Sequence, residues 1–245
     1  MPSEDAIVAR CRENLAAVRE RIAEACIRAG RRPEDVRLVG VTKYVSVDTA
    51  RILLGAGCVD LGESRPQSLW GKAEAMAGCE PAARWHLVGH LQRNKIRRTL
   101  PVLSLLHSLD SRRLLEAVDE ECAAAGQVCD ALVEVNLAGD PGRTGVPEAD
   151  VAALLEEAGR RRHVRVLGLM GMAALPDGDP AAARRQFARL RDLRDALASR
   201  LPTPTGLHEL SMGMSGDAVE AILEGATLVR IGSALWEGIP ASAGH

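Results

Sequence analysis

At 245 residues the chain is long enough for one α/β barrel or two small domains, and it can bury a sizeable core. A formal net charge of −2 gives a near-neutral field, which excludes a dedicated binder of nucleic acid or of a membrane surface. One Tyr, one Phe and three Trp are too few for base-stacking platforms, so the core must be built from Ala, Val, Leu and Ile.

Met1-Pro2-Ser3-Glu4-Asp5 lacks a basic start followed by an apolar stretch, and no run of about 18 apolar residues occurs, so a cytoplasmic protein is expected. Cys11, Cys26, Cys58, Cys79, Cys122 and Cys129 form no Cys-x-x-Cys pair and read as reduced. His86 and His90 are four apart, but Leu87-Val88-Gly89 between them reads as strand and no further ligands can be nominated, so no zinc site is expected.

The first thirty residues read as a helix, with Ser3 as N-cap, Ile7, Leu15, Val18 and Ile22 at helical spacing and Gly30 as the stop. An alternation follows. The apolar run Val36 to Lys43 reads as a buried parallel strand. Helix Val47 to about Leu54 leads to strand Cys58–Glu63, and helix Gln67 to Met76 leads to strand Arg84–Leu91. A short basic helix, Arg93 to Leu100, stops at Pro101 before strand Leu105–Leu109. Ser111 caps an amphipathic helix ending at Gly126, and Ala131–Leu137 is the fifth strand. After the glycine-rich loop Ala138 to Val146, helix Glu148 to Arg161 precedes strand Val164–Met170. Helix Pro180 to about Arg200 turns Phe187, Leu190, Leu193 and Leu197 inward. Strand Glu209–Gly213, helix Asp217 to Leu223 and strand Thr227–Gly232 complete the series.

Eight strands alternating with about eight helices imply an α/β fold, a single (β/α)8 TIM barrel at about 36–238 with an extra N-terminal helix at about 3–30. No linker or composition shift divides residues 1–245. An open doubly wound sheet would want a glycine-rich first turn, and Lys43-Tyr44-Val45-Ser46 offers none.

The working face of such a barrel is the C-terminal end of its strands, where Lys43 falls. At a strand tip its amine either snorkels to solvent or is desolvated and fit to form a Schiff base. Ser211-Met212-Gly213-Met214-Ser215-Gly216-Asp217 runs from a strand into a helix N-terminus, and Arg230-Ile231-Gly232-Ser233-Ala234 repeats the pattern; either alone reads equally as turn and cap chemistry, but two at adjacent strand ends favour donors to a phosphate. A lysine amine beside a phosphate cradle suggests pyridoxal 5′-phosphate. Arg230 beside the pyridine nitrogen would keep that nitrogen unprotonated and weaken the ring as an electron sink; otherwise it would pair with a core carboxylate such as Glu134 or Glu209.

Val39-Gly40-Val41-Thr42-Lys43, Leu61-Gly62-Glu63-Ser64-Arg65-Pro66-Gln67, Trp85 through Lys95, Leu210 through Asp217 and Val229 through Gly238 together resemble the pyridoxal phosphate homeostasis proteins, relatives of the alanine racemase barrel. The resemblance implies a barrel monomer carrying the cofactor on Lys43, with Ser215, Gly232 and Ser233 at the phosphate and Arg230 at the ring nitrogen. Ser64, Ser211 and Met212 complete the expected cofactor contacts. It also implies a role in vitamin B6 homeostasis, buffering the cofactor and delivering it to pyridoxal phosphate-dependent apoenzymes without substrate turnover. The chain departs from the family in three places: Ser64 stands where Asn is usual, His90 where Pro is usual, and Arg143 where Lys is usual.

The alternative is an amino-acid racemase on the same barrel. It would need a second acid/base group facing Lys43, and Tyr44, adjacent on an extended strand end, is expected to point away. A nucleic-acid or protein adaptor using Arg93, Lys95, Arg97 and Arg98 is the weakest reading, because such a cluster is more often a solvated helix face.

Overall fold

Eight strands pair in chain order, all parallel, and close on themselves as β1 (Arg37–Val41), β2 (Asp60–Glu63), β3 (Arg84–Leu87), β4 (Leu103–Leu109), β5 (Cys129–Val135), β6 (Val164–Gly171), β7 (Glu209–Ser211) and β8 (Leu228–Ile231). The closing register sets Gly40 opposite Ile231. The computed structural model describes residues 3–140, 142–174, 179–200 and 206–240, so Met1, Pro2, Pro141 of the glycine-rich loop and the last five residues lie outside it. The helices are α1 (Glu4–Arg28), α2 (Val47–Gly55), α3 (Pro66–Ala75), α4 (Ile96–Thr99), α5 (Arg112–Ala125), α6 (Val151–Ala158), α7 (Pro180–Arg200) and α8 (Ala218–Leu223).

Local chemistry sets these bounds. The hydroxyls of Ser3, Ser46 and Ser111 accept from the backbone N–H groups of Ala6, Thr49 and Leu114, which satisfies orphan donors at the starts of α1, α2 and α5. Gly126 ends α5 in the left-handed region, at φ 64°. The α1 helix packs through Leu15, Val18 and Ile22 against its neighbours α2 and α8. It thereby occupies the outer ring beside β8, after which the described residues make a single 3-10 turn, Ser233–Leu235.

Several strands are shorter than the sequence suggests. β1 ends two residues before Lys43, β3 ends at Leu87, β7 at Ser211 and β8 at Ile231. Beyond the rim of a closed barrel the chain must turn into the next helix, so apolar residues there continue the pattern without continuing the ladder. The basic segment after β3 divides into a 3-10 turn, Arg93–Lys95, and α4, where Arg98 stacks 4.4 Å from the Trp70 ring.

Two cores result from the period-2 alternation of the strands. One lies between sheet and helices and holds Leu61, Leu87, Leu106, Val133, Leu169, Leu210 and Val229. The other is a single apolar layer inside the barrel, made by Val39, Leu105, Leu132, Met170 and Leu228. Two residues further along the same strands, the inward parity passes to His107, Glu134 and Arg230, all buried. Above its apolar layer the barrel interior is therefore polar.

Among the described residues no helix is long and apolar enough to cross a membrane.

Candidate functional site

Lys43 lies in the turn that leaves β1, half-buried, at the C-terminal rim. The turn is held from beneath. Thr42 donates its N–H to the Gly62 carbonyl at 2.9 Å and its hydroxyl to Glu63 Oε1 at 2.6 Å. Lys72, reaching in from α3, donates to the same carboxylate oxygen at 2.6 Å and to the Thr42 carbonyl. This buried lysine–carboxylate pair fixes the residue before Lys43. Tyr44 does not point away as the extended-strand expectation had it. Because the chain turns at Lys43 and Tyr44, the ammonium sits 4.6 Å from the centroid of the Tyr44 ring, a cation–π contact.

Beside this turn the segments after β7 and β8 form a cradle. Ser215 Oγ accepts from the N–H groups of Gly232 and Ala234, each at 3.3 Å, and so joins the two segments. Arg230 N–H donates to the Gly213 carbonyl at 2.9 Å. Gly213 has φ 91°, and a Cβ there would meet Ala221 Cβ at 2.6 Å, so only glycine allows this close turn into α8. The N–H groups of Ser215, Gly216 and Ser233 have no acceptor among the described residues. The donor set, uncharged N–H groups and two hydroxyls, fits a phosphate. Asn14 of α1 braces the cradle from outside, donating to the carbonyls of Leu235 at 3.0 Å and Glu237 at 2.9 Å.

Arg230 is the buried charge of the site. Its Nη1 donates to Ser211 Oγ at 2.6 Å and its Nη2 to the Gly171 carbonyl at 3.1 Å. Burial pulls its pKa down to about 10, with Asp217 and Glu134 opposing the fall, so the guanidinium keeps its proton at neutral pH. The ion pair with Glu134 or Glu209 is not formed. Glu209 is taken by Arg37 and the Thr227 hydroxyl, and Glu134 accepts from Thr144 at 2.6 Å.

The structure gathers Lys43, Ser215, Arg230, Gly232 and Ser233 on adjoining strand ends, with Ser211 beneath them. Ser64 lies at the same rim after β2, its backbone pressed against Gly89. Met212 is different: its side chain is fully buried in the sheet–helix core, and Met214 instead reaches the rim. There Met214 lines a cavity of about 440 Å³ together with Glu134, Asn136, Arg143, Thr144 and Met172. His90 is also at the rim and bonds Asp110 at 2.7 Å, whereas His86 points into the barrel, so the two do not share a site. Sequence reasoning missed Asp60, His86 and His107, which continue inward from Ser211, and the Lys72–Glu63 pair. The available signal was a polar residue at inward parity in each apolar strand, and a lysine three residues from Leu69 on α3.

The closed, parallel eight-stranded barrel with Lys43 just past its first strand is an alanine racemase type of barrel. Residues 13–240 match the family model described as the alanine racemase N-terminal domain. The chain belongs to that family and, within it, to the pyridoxal phosphate homeostasis proteins. It is 37% identical to the pyridoxal phosphate homeostasis protein of Aquifex aeolicus, over 91% of this chain and 96% of that one. With the pyridoxal phosphate homeostasis protein of Pseudomonas aeruginosa it shares 36% identity over 94% and 98%. The structure of PipY from Synechococcus elongatus with PLP bound superposes with a TM-score of 0.81 at 32% identity, covering 92% of this chain and 99% of that one.

Proposed function

We propose that this chain carries pyridoxal 5′-phosphate on Lys43 for cytoplasmic cofactor homeostasis, buffering it as a monomer and delivering it to apoenzymes without turning over a substrate. When bound, the cofactor supplies an aldehyde that condenses with primary amines and a ring that withdraws electrons. Lys43 supplies the amine, held at the rim by the Thr42 turn. Ser215 and Ser233 supply phosphate donors with Gly232 between them allowing close approach, Ser64 supplies a further hydroxyl, Ser211 acts from beneath through its bond to Arg230, and Arg230 faces the ring nitrogen.

The observation that carries this reading is the state of Arg230. Its guanidinium is buried and charged and bonds only a hydroxyl and a carbonyl, so no carboxylate neutralises it at contact distance. A fixed cation there keeps a pyridine nitrogen unprotonated and weakens the electron sink, which favours holding the cofactor over consuming an amino acid. The names of the relatives and the PipY complex support the same reading. The test is the absorbance spectrum of the purified protein before and after borohydride, followed by mass spectrometry of its peptides. The cofactor mass on Lys43, lost in Lys43→Ala, is expected. No uptake from added pyridoxal 5′-phosphate would overturn the proposal.

The contact of Tyr44 with Lys43 favours one second reading, a racemase, because it brings a phenol beside the amine. Both groups stand on one turn, though, and a two-base racemase needs them on opposite faces of the substrate. Chiral analysis of alanine incubated with the loaded protein decides between the readings.

A further inference from the structure

Inside the barrel five side chains from five strands are joined end to end. Arg230 Nη1 donates to Ser211 Oγ at 2.6 Å, and Ser211 Oγ lies 2.8 Å from His107 Nδ1. His107 Nε2 lies 2.9 Å from His86 Nδ1, and His86 Nε2 lies 2.9 Å from Asp60 Oδ1. Arg84 donates to the other oxygen of Asp60 at 2.6 Å. Asp60 and Arg84 are the first residues of β2 and β3, and Ser211 is the last of β7, so the row crosses the barrel from its N-terminal end towards the cofactor rim. All five members are buried, His107 and Ser211 completely.

We infer that Asp60, His86 and His107 are positioning residues for Arg230, forming with Ser211 a hydrogen-bond chain of one fixed direction that aims the Ser211 oxygen at the guanidinium. The inference rests on the reading that Arg230 faces the cofactor ring.

The direction follows from the donor inventory. A guanidinium only donates and a carboxylate only accepts, so the two ends are opposite in kind. Burial pushes the Asp60 carboxyl up, but hydrogen bonds from His86 and Arg84 outweigh it and hold the group below the usual carboxylate range. Asp60 is thus an anion that accepts from His86 Nε2–H. A neutral His86 then accepts at Nδ1 from His107 Nε2–H, and His107 accepts at Nδ1 from the Ser211 hydroxyl. That leaves the Ser211 lone pairs for Arg230. Every hydrogen is used once and every acceptor is filled. Burial first, then the neighbouring His86, Arg230 and Arg37, hold His107 well below the usual imidazole range, so it takes part as a neutral ring.

The reverse direction fails at one atom. With His86 doubly protonated, His107 would donate to Ser211, whose own hydrogen would have no acceptor among the described residues. A buried hydroxyl left in that state is costly. Bonds linked head to tail also polarise one another, so the Ser211 oxygen is a stronger acceptor for Arg230 than an isolated hydroxyl would be.

The test reads histidine tautomers by nitrogen-15 NMR in the cofactor-free protein. Both His86 and His107 are expected as the Nε2–H tautomer. His107 as Nδ1–H would overturn the inference. Ser211→Ala is the second test. There the His107 Nδ1 signal must move to that of an unbonded acceptor, with Ser211→Thr restoring it, and no movement would refute the chain. On loading with pyridoxal 5′-phosphate, Ser211→Ala is expected to weaken retention about fivefold, the worth of one buried hydrogen bond, and to shift the cofactor band, with Ser211→Thr restoring both. Tautomers as expected with no cofactor uptake would leave the chain standing and sink the carrier reading, whereas uptake with His107 as Nδ1–H would do the opposite.

Discussion

The indole N–H of Trp236 donates to the carbonyl of Val41 across 2.8 Å, tying the segment after β8 to the strand that ends just before Lys43. Barrel closure brings these strands together, but pairing stops at Gly40 and Ile231, so this bond sets the spacing between the Lys43 turn and the segment after β8 beyond the last ladder contact. Trp236→Phe keeps most of the buried ring and leaves the carbonyl without its donor. The expected loss is about 1–2 kcal/mol of stability, with weaker retention of pyridoxal 5′-phosphate. Urea denaturation and equilibrium dialysis check the two effects, and an unchanged midpoint would show that the bond contributes nothing.

Gly89 is required by its neighbour and not by its own dihedrals. A Cβ at this position would stand 2.2 Å from the carbonyl oxygen of Ser64, while Ser108 holds the Gly89 carbonyl from the other side at 2.7 Å. Neither backbone can yield freely. Gly89→Ala should therefore cost about 1–3 kcal/mol, as overpacking does, and displace Ser64 from the rim. Thermal unfolding measures the cost, and a melting temperature equal to that of the parent would contradict the close approach.

The fold was legible because each strand is a short apolar run between turn chemistry and a capped helix, as at Ser111 and Gly126 or Ser46 and Gly55. The rim placement of Lys43, Ser215, Gly232 and Ser233 was legible because all four stand just past the strands. His107 and His86 were not. Each sits in an apolar run where a single polar residue reads as a tolerated exception, and its partner lies on another strand at a register that only barrel closure defines. Lys72 escaped for a related reason: on α3 it looks like one more surface lysine, and only the packing of that helix over β2 turns it towards Glu63. Tyr44 was misjudged because strand geometry was extended two residues beyond the point where the chain turns.

Lys72 and Glu63 form a nearly water-free pair, with side chains 8% and 0% exposed, and the second oxygen of Glu63 has no partner among the described residues. Removing the lysine alone strands a buried anion. Lys72→Met should thus destabilise by about 3–5 kcal/mol, while Lys72→Met combined with Glu63→Gln should recover most of the loss. A double-mutant cycle by chemical denaturation gives the coupling, and a value near zero would mean that the pair is not formed in solution. The rescued variant should still load the cofactor more slowly, because the Thr42 carbonyl has lost the donor that steadies the turn before Lys43.

Glu134 faces the rim cavity from inside the barrel, and burial is the main cause that raises its pKa above the ordinary value of 4.5. The hydrogen bond from Thr144 opposes the rise, nearby Asp110 adds to it, and Arg230 and His90 oppose it more weakly. Because the folded state holds this proton more tightly than the unfolded chain, the carboxyl contributes stability below pH 4.5 that is lost as pH rises through the folded value. Glu134→Gln keeps the carbonyl that accepts from Thr144 and removes the titration. The variant should therefore unfold at higher denaturant than the parent at neutral pH, and the advantage should vanish as the pH is brought below 4.5. A difference independent of pH, or one that grows on acidification, would show that Glu134 is ionised without penalty, stabilised by Arg230 across the site.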